Sequence, residues 1–196
     1  MKNSSPGGVH NSKLLAVALF TLLVSAGAQA QTATSYEELP NFGQVNLHIY
    51  RGAQPRAGGI RRLAQLGIKT IINLRAANER TAAEEQEAET AGLRFINVPM
   101  PDFSRPSDEQ VRRVLALLDD RTNYPVFIHC KRGADRTGVI IACYRITHDG
   151  WTDRQALAEA KGYGMSWFQR GMKDFVEDFY EQHAATAGER RRARGQ

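Results

Sequence analysis

The sequence is poor in cysteine, with only Cys130 and Cys143 in a chain of 196 residues. Two cysteines exclude a disulfide framework and a four-cysteine zinc site. Three roles for cysteine then remain: a single disulfide bridge, a core position or a lone reactive thiol. Five histidines are scattered without the spacing of metal ligands, so we expect neither a metal nor another cofactor. With 42% hydrophobic and 24% charged residues, the composition is that of a globular protein rather than a collagen-like or disordered one.

The central part of the chain also lacks an excess charge of either sign. The formal net charge is +5, but the first 30 residues contribute +2 and the last eight contribute +3. Residues 31–188 therefore hold 20 basic and 20 acidic side chains. A neutral folded region argues against a general nucleic-acid surface, so we expect no nucleic-acid partner.

The N-terminal segment has an apolar run at 14–24, preceded by a weakly basic stretch and followed by Ala28-Gln29-Ala30. These three parts are typical of a secretory signal peptide, with cleavage predicted after Ala30. The run is shorter than the roughly 20 residues of a membrane-spanning helix, so we expect no span in the mature chain, although an uncleaved signal would act as an anchor. The mature protein is therefore expected in the periplasm or outside the cell.

Short apolar runs alternate with helical patterns along the rest of the chain, which predicts parallel strands joined by helices. The runs lie at 45–50, 70–74, 95–98 and 126–129, and the helices lie near 58–66, 80–91 and 108–118. From 138 to about 182 the pattern is helical with two breaks. We expect one α/β domain, with a central, mainly parallel sheet flanked by helices and a helical C-terminal third.

Directly after the apolar run at 126–129 comes the segment His129-Cys130-Lys131-Arg132-Gly133-Ala134-Asp135-Arg136-Thr137-Gly138. A loop between a strand end and a helix N-terminus directs several backbone N–H groups into one hollow, and the helix dipole adds positive potential. Such a setting binds anions and stabilises a cysteine thiolate. Arg136 can hold two phosphate oxygens at once, Gly133 permits close backbone approach, and the Thr137 hydroxyl can donate to a departing sulfur.

These residues spell Cys-x5-Arg-Thr-Gly after a histidine, and here the chain resembles the cysteine-dependent phosphatases of the protein tyrosine and dual-specificity superfamily. Segments 50–55 and 71–75 look like the opening segments of atypical dual-specificity phosphatases of bacteria, fungi and plants. The resemblance covers most of residues 45–183 and implies a catalytic domain at 45–184. The composition of the rest predicts the signal peptide at 1–30, a polar lead-in at 31–44 and a basic, disordered tail at 185–196. The resemblance also implies that Cys130 attacks phosphorus while Arg136 holds the equatorial oxygens.

The family usually supplies a general acid from a loop roughly 30 residues before the cysteine. Asp102 lies 28 residues upstream of Cys130 and is the expected acid. Asp135, inside the phosphate loop, is the alternative, and Asp108 is better explained as a first-turn acid of a helix. His129 is expected to orient the loop rather than to transfer protons.

Cys143 is expected to fill a core position, with a regulatory disulfide to Cys130 as the alternative. Arg51 and Arg75 each follow an apolar run, at the sheet edge where open parallel sheets bind ligands, although structural ion pairs would also explain them. The expected substrate contacts are Lys131, Arg132, Gly133, Ala134, Asp135, Thr137, Arg51 and Arg75.

The extra cations favour a small polyanionic phosphoester such as an inositol phosphate, a phosphoinositide or polyphosphate, and the alternative substrate is a phosphorylated protein. Two other functions remain open from the residues. One is a phosphate-binding module whose cysteine is oxidised or silent. The other is a thiol enzyme of the rhodanese or arsenate reductase kind, which does not explain Arg136-Thr137 together with an upstream acid.

Overall fold

The computed structural model describes residues 36–194, with side chains through residue 186. The predicted signal peptide lies outside the described residues. Within them, five strands form one sheet: β1 Gly43–Gln44, β2 Ile49–Ala53, β3 Thr70–Asn73, β4 Arg94–Asn97 and β5 Val126–Cys130. Their order is β1-β2-β5-β3-β4, in which β1 is antiparallel to β2 and all other pairs are parallel. The predicted mainly parallel sheet is therefore confirmed, and β5 lies at its centre.

The helices in the described region are α1 Gly59–Gln65, α2 Glu79–Thr90, α3 Asp108–Asp119, α4 Asp135–His148, α5 Asp153–Gly162 and α6 Arg170–Arg194. The first three agree with the predicted positions, and the last three form the helical C-terminal third. No helix in this part of the chain is both long and apolar enough to cross a membrane.

Alternation along the central strands divides the core between the two faces of the sheet. Ile71 and Phe127 pack with α1 and α2, whereas Ile72 and Ile128, one position further on, pack with α3 to α6. Burying one such side chain contributes about 1.5–3 kcal/mol. The two layers fix the carboxyl end of β5, where Cys130 lies, between β2 and β3.

The first apolar run, predicted as a strand over 45–50, instead contains a tight turn between β1 and β2. The Asn46 side chain accepts hydrogen bonds from the backbone N–H groups of His48 and Ile49, at 2.8 and 2.9 Å. An asparagine that bonds the backbone two and three residues on stabilises a turn in competition with a continuous strand. As a result β2 begins four residues later than predicted, and Arg51 lies inside it rather than after it.

The C-terminal helix also differs from the sequence expectation. The sequence predicts a disordered tail at 185–196, but α6 continues to Arg194. Residues 184–194 consist largely of alanine, glutamate and arginine, which are strong helix formers, so the helix propensity of this segment favours the continuation of α6.

Candidate active site

The loop at 130–134 joins the end of β5 to the start of α4, and it packs tightly against the end of β2. Gly133 has a positive φ of 68°, and a Cβ at this position would collide with the backbone of Gly52 and Ala53. Cys130, the last residue of β5, is 2% exposed. The glycine that the sequence places in the loop is therefore required for both conformation and packing.

Arg136 lies in the first turn of α4 with its guanidinium held at the end of the sheet. Its Nη1 donates to the carbonyl oxygen of Leu74 at 3.3 Å and lies 2.5 Å from Oδ1 of Asp102. The Asp102 side chain is 58% exposed, and Gln169 Nε2 donates to its carbonyl oxygen at 3.1 Å. The structure thus brings together the predicted clamp and the predicted acid, 34 residues apart in sequence.

Asp135, the alternative acid, has both carboxylate oxygens engaged. Oδ1 accepts from the backbone N–H of Ser166 at 2.8 Å, and Oδ2 accepts from Arg132 Nη2 at 2.6 Å. The same Arg132 nitrogen also donates to Ser166 Oγ. Asp135 therefore ties the phosphate loop to the α5–α6 connection. Asp108 is the first residue of α3, as expected.

Arg51 is completely buried and does not face a ligand site, contrary to the sequence expectation. Its Nη2 donates to the carbonyl oxygen of Gly133 at 2.9 Å, and its guanidinium lies 3.8 Å from the ring centre of Tyr163. Burial lowers the pKa of Arg51 to about 10, so the side chain is still charged at neutral pH. Arg51 therefore supports the phosphate loop from beneath, because its place inside β2 turns it into the protein.

The other predicted cations lie nearer to solvent. Arg75 Nη1 donates to Gln54 Oε1 at 2.6 Å. Lys131 and Arg132 are exposed, and together with Gln54 and Arg56 they line an open cavity of about 620 Å³, to which Ala134 also contributes. This cavity carries three cationic side chains beside the phosphate loop, of which Arg56 was not predicted.

A buried carboxylate that sequence reasoning missed lies behind the loop. Glu84 Oε1 is 2.9 Å from Nε2 of His129, and Glu84 Oε2 accepts from Asn73 Nδ2 at 2.7 Å. Burial raises the pKa of the Glu84 carboxyl, but the hydrogen bond and charge of His129 outweigh it and the pKa lies below its ordinary value. The sequence signal that could have revealed Glu84 is its helical spacing with Thr81 and Ala88, which also lie on the buried side of α2.

Two buried side chains of α4 carry polar or titratable atoms, Thr137 in the first turn and Cys143 in the second half of the helix. Thr137 is fully buried, and its Oγ1 has no hydrogen-bond partner among the described side chains. Cys143 lies in the core cluster, where burial raises the pKa of its thiol, and it is not bonded to Cys130. Its surroundings are those of a core-filling residue.

Large aromatic side chains are exposed on the two loops that meet beside Asp102. Phe103 is 76% exposed, and Trp167 and Phe168 are 80% and 52% exposed. The Trp167 and Phe168 rings pack edge to face at 5.9 Å. We call these three residues the aromatic rim; the sequence analysis did not assign them to the site.

A cysteine at a strand end, a glycine-bearing loop and an arginine in the first turn of the next helix define a site of the protein tyrosine phosphatase type. A family model described as "DSP-PTPase phosphatase fused to NAD+ Kinase" matches residues 23–178. The chain belongs to this family of dual-specificity-type phosphatases, and it is a phosphatase.

Individual relatives agree with this assignment. Inositol diphosphatase DSP5 of Arabidopsis thaliana is 31% identical over 151 residues, which are 71% of this chain and 70% of that protein. Dual specificity protein phosphatase TpbA of Pseudomonas aeruginosa is 29% identical over 173 residues, 83% of this chain and 76% of that protein. The TpbA crystal structure has a TM-score of 0.63 at 26% identity and covers 77% of this chain and 94% of its own.

The catalytic core of the yeast PP-IP phosphatase SIW14 supports the fold alone, with a TM-score of 0.68 at 21% identity over 81% of this chain and 96% of that one.

Among the described side chains, no group of three or more histidine, cysteine, aspartate or glutamate residues is arranged to hold a metal ion.

Proposed function

We propose that the protein hydrolyses phosphate monoesters through a cysteinyl-phosphate intermediate on Cys130. The observation that carries this proposal is the contact between Arg136 and Asp102 at the mouth of the loop that Cys130 begins. A phosphoryl group bound by the loop amides and Arg136 would lie in line with the Cys130 sulfur and within reach of Asp102.

In the first step, the Cys130 thiolate forms a bond to phosphorus and the ester P–O bond breaks. Asp102 gives its proton to the departing oxygen, a contribution of about 10²–10⁴ in rate for a general acid. In the second step, water attacks phosphorus, Asp102 takes its proton, and the thiolate leaves. Thr137, whose hydroxyl is buried in the first turn of α4, donates to the departing sulfur.

Two substrate classes have support from different features of the surface. The cationic cavity with Arg56, Lys131 and Arg132 favours a small polyanionic phosphoester, and the relative DSP5 is named an inositol diphosphatase. The aromatic rim favours an aryl phosphate such as phosphotyrosine in a protein, and a TpbA variant has been crystallised in complex with pTyr. Gly133, Ala134 and Thr137 would contact the phosphoryl group in either case.

We also propose that the protein is exported by way of residues 1–30, which support this through their resemblance to a signal peptide. The test is to measure the mass of the protein recovered from the extracytoplasmic fraction of expressing cells. We expect a protein whose N-terminus is Gln31. A protein that retains residues 1–30 and stays inside the cell contradicts it.

The experiment for the activity is phosphate release by the purified protein in EDTA and reductant. The panel contains a phosphotyrosine peptide, phosphoinositides and inositol polyphosphates, beside a Cys130→Ser control. We expect turnover that survives EDTA and is lost in the control. Absence of turnover from a protein whose Cys130 thiol is fully titratable would contradict the proposed mechanism and favour the phosphate-binding module.

A further inference from the structure

The segment 98–107 between β4 and α3, which we call the acid loop, carries Asp102 at the mouth of the phosphate loop. A hydrogen bond from the backbone N–H of Met100 to the end of β3 fixes the beginning of the loop. Ser107, the N-cap of α3, fixes its end. The expected general acid therefore lies in the middle of the loop, residues 101–106, between two fixed ends.

Among the described residues, three polar contacts attach the middle of the acid loop to the rest of the protein. The Asp102 carboxylate binds Arg136, Gln169 Nε2 donates to the Asp102 carbonyl oxygen, and Arg105 Nη1 lies 2.6 Å from Oδ2 of Asp178. A phosphoryl group on Arg136 competes with Asp102 for the same guanidinium, so substrate binding removes the first contact. The contacts with Gln169, which directly precedes α6, and with Asp178 in α6 must then hold the acid.

One face of α6 binds Arg105 at three consecutive turns. Gly171, Phe175 and Asp178 follow one another at intervals of four and three residues, so they lie on the same side of the helix. The Arg105 guanidinium lies 5.0 Å from the ring centre of Phe175 and pairs with Asp178. A Cβ on Gly171 would lie only 3.1 Å from the Arg105 backbone nitrogen. The backbone of the acid loop is therefore in direct contact with the first turn of α6.

The Phe175 ring links this contact to the packed interior. Phe175 is 1% exposed and belongs to the core, so the surface on which the guanidinium lies is fixed. The side chains of Arg105 and Asp178 are 42% and 49% exposed, and an ion pair so exposed is weak by itself. A planar guanidinium can lie on an aromatic ring while its edge donates to a carboxylate. The three contacts together therefore select arginine at position 105.

From this geometry we infer that Arg105 is a positioning residue that anchors the acid loop to α6 and keeps Asp102 beside the leaving group when the substrate takes Arg136. The inference rests on the proposed function in taking Asp102 as the general acid. The Arg105 guanidinium is directed to α6, so it acts through the loop backbone and does not touch the substrate. Without this anchor, Arg136 still binds the phosphoryl group, but Asp102 samples more positions and transfers its proton less efficiently.

The test compares kcat/KM of the full chain for glycerol phosphate, whose leaving group needs a proton, with kcat/KM for p-nitrophenyl phosphate, whose leaving group does not. This parameter excludes the later hydrolysis step that both substrates share. We expect Arg105→Met to lower kcat/KM for glycerol phosphate roughly 3- to 30-fold and to leave the value for p-nitrophenyl phosphate unchanged. Arg105→Lys, which keeps the charge but not the planar group, should lie between wild type and Arg105→Met. Arg112→Met, on the exposed side of α3, is the matched control and should change neither value.

Asp178→Asn supplies a second measurement from the other side of the contact. It should show the same dependence on the leaving group in weaker form, because Arg105 keeps its contact with Phe175. The double variant with Arg105→Met should be no slower than Arg105→Met alone, since residues in one contact are not additive.

An Arg105→Met protein whose ratio of the two kcat/KM values equals that of the wild type would overturn the inference, whether both values fall or neither does. Asp102→Asn is measured in parallel to keep the two proposals apart. If Asp102→Asn itself shows no dependence on the leaving group, the proposed role of Asp102 is contradicted. If Asp102→Asn shows that dependence and Arg105→Met does not, only the anchoring role of Arg105 is wrong.

Discussion

The carboxylate of Asp102 lies 2.5 Å from the guanidinium of Arg136, so the expected general acid and the expected phosphate clamp are bound to each other. Arg136 is 8% exposed and Asp102 is 58% exposed, which makes the aspartate the partner that can move. A phosphoryl group that takes both amino groups of Arg136 must displace the carboxylate. Substrate binding would then release Asp102 beside the leaving group, where the carboxylate takes up a proton from solvent and can pass it to the departing oxygen.

Replacing Asp102 by Asn should slow the reaction and strengthen anion binding. We expect kcat to fall by about 10²–10⁴ with alkyl phosphates and by much less with an activated aryl phosphate, whose leaving group needs no proton. Inhibition by inorganic phosphate should become stronger, because Arg136 no longer has a charged partner. Asp135→Asn is the matched variant: it should lower the melting temperature through its lost contacts with Ser166 and Arg132, without dependence on the leaving group. A fall in kcat that depends on the leaving group in Asp135→Asn but not in Asp102→Asn would assign the role of general acid to Asp135.

Gly133→Ala should abolish activity and destabilise the protein by more than Gly58→Ala. Both glycines have a positive φ, 68° and 81°, so both substitutions carry a conformational cost of about 1 kcal/mol. At Gly58 a Cβ meets nothing within 4 Å, whereas at Gly133 it collides with the β2 backbone. Urea unfolding and phosphatase assays on both variants measure the difference. Equal losses of stability would show that the loop can move away from β2.

Arg51→Met should lower both stability and turnover although Arg51 does not contact the substrate. The change leaves the Gly133 carbonyl without its buried donor and removes the stacking on Tyr163, which together cost about 2–4 kcal/mol. Arg61→Met, on the exposed side of α1, is the control and should cost less than about 0.5 kcal/mol. If Arg51→Met retains wild-type stability and raises only KM, Arg51 contacts substrate after all.

Glu84 should make the protein sensitive to acid. Its pKa is lowered in the folded state, so its contribution to stability is present above the unfolded value near 4.5 and is lost as pH falls through the folded value. The wild-type melting temperature should therefore drop steeply below about pH 4.5, and Glu84→Gln should show a shallower drop. Glu85→Gln should follow the wild type. Parallel melting curves for wild type and Glu84→Gln across this range would contradict the lowered pKa.

Trp167→Ala and Lys131→Ala should separate the two substrate classes. Loss of one aromatic contact is worth about 0.5–1.5 kcal/mol, or roughly a 2- to 12-fold rise in KM, and should affect a phosphotyrosine peptide more than an inositol polyphosphate. Lys131→Ala should show the opposite preference, since Lys131 lines the cationic cavity. Steady-state kinetics of each variant on both substrates measure this. Equal effects on both substrates would remove the basis for assigning either surface to one class.

The sequence alone determined the class of fold and the centre of the site. Alternating apolar runs and helical patterns predicted the parallel sheet, because strand and helix periods are local properties of the chain. The segment from Cys130 to Thr137 predicted an anion-binding loop for a similar reason: its cysteine, glycine and arginine lie close together in sequence, between a strand and a helix.

Contacts over long sequence separations were decided only by the tertiary structure. The turn at Asn46 shifted β2 and buried Arg51, so a predicted ligand contact became a support of Gly133, 82 residues away. Glu84 and His129 lie on separate elements, and their pairing depends on how α2 crosses the sheet. A sequence records which side chains carry charge, but whether a charge meets solvent, substrate or a buried partner depends on packing between elements, which local patterns do not encode.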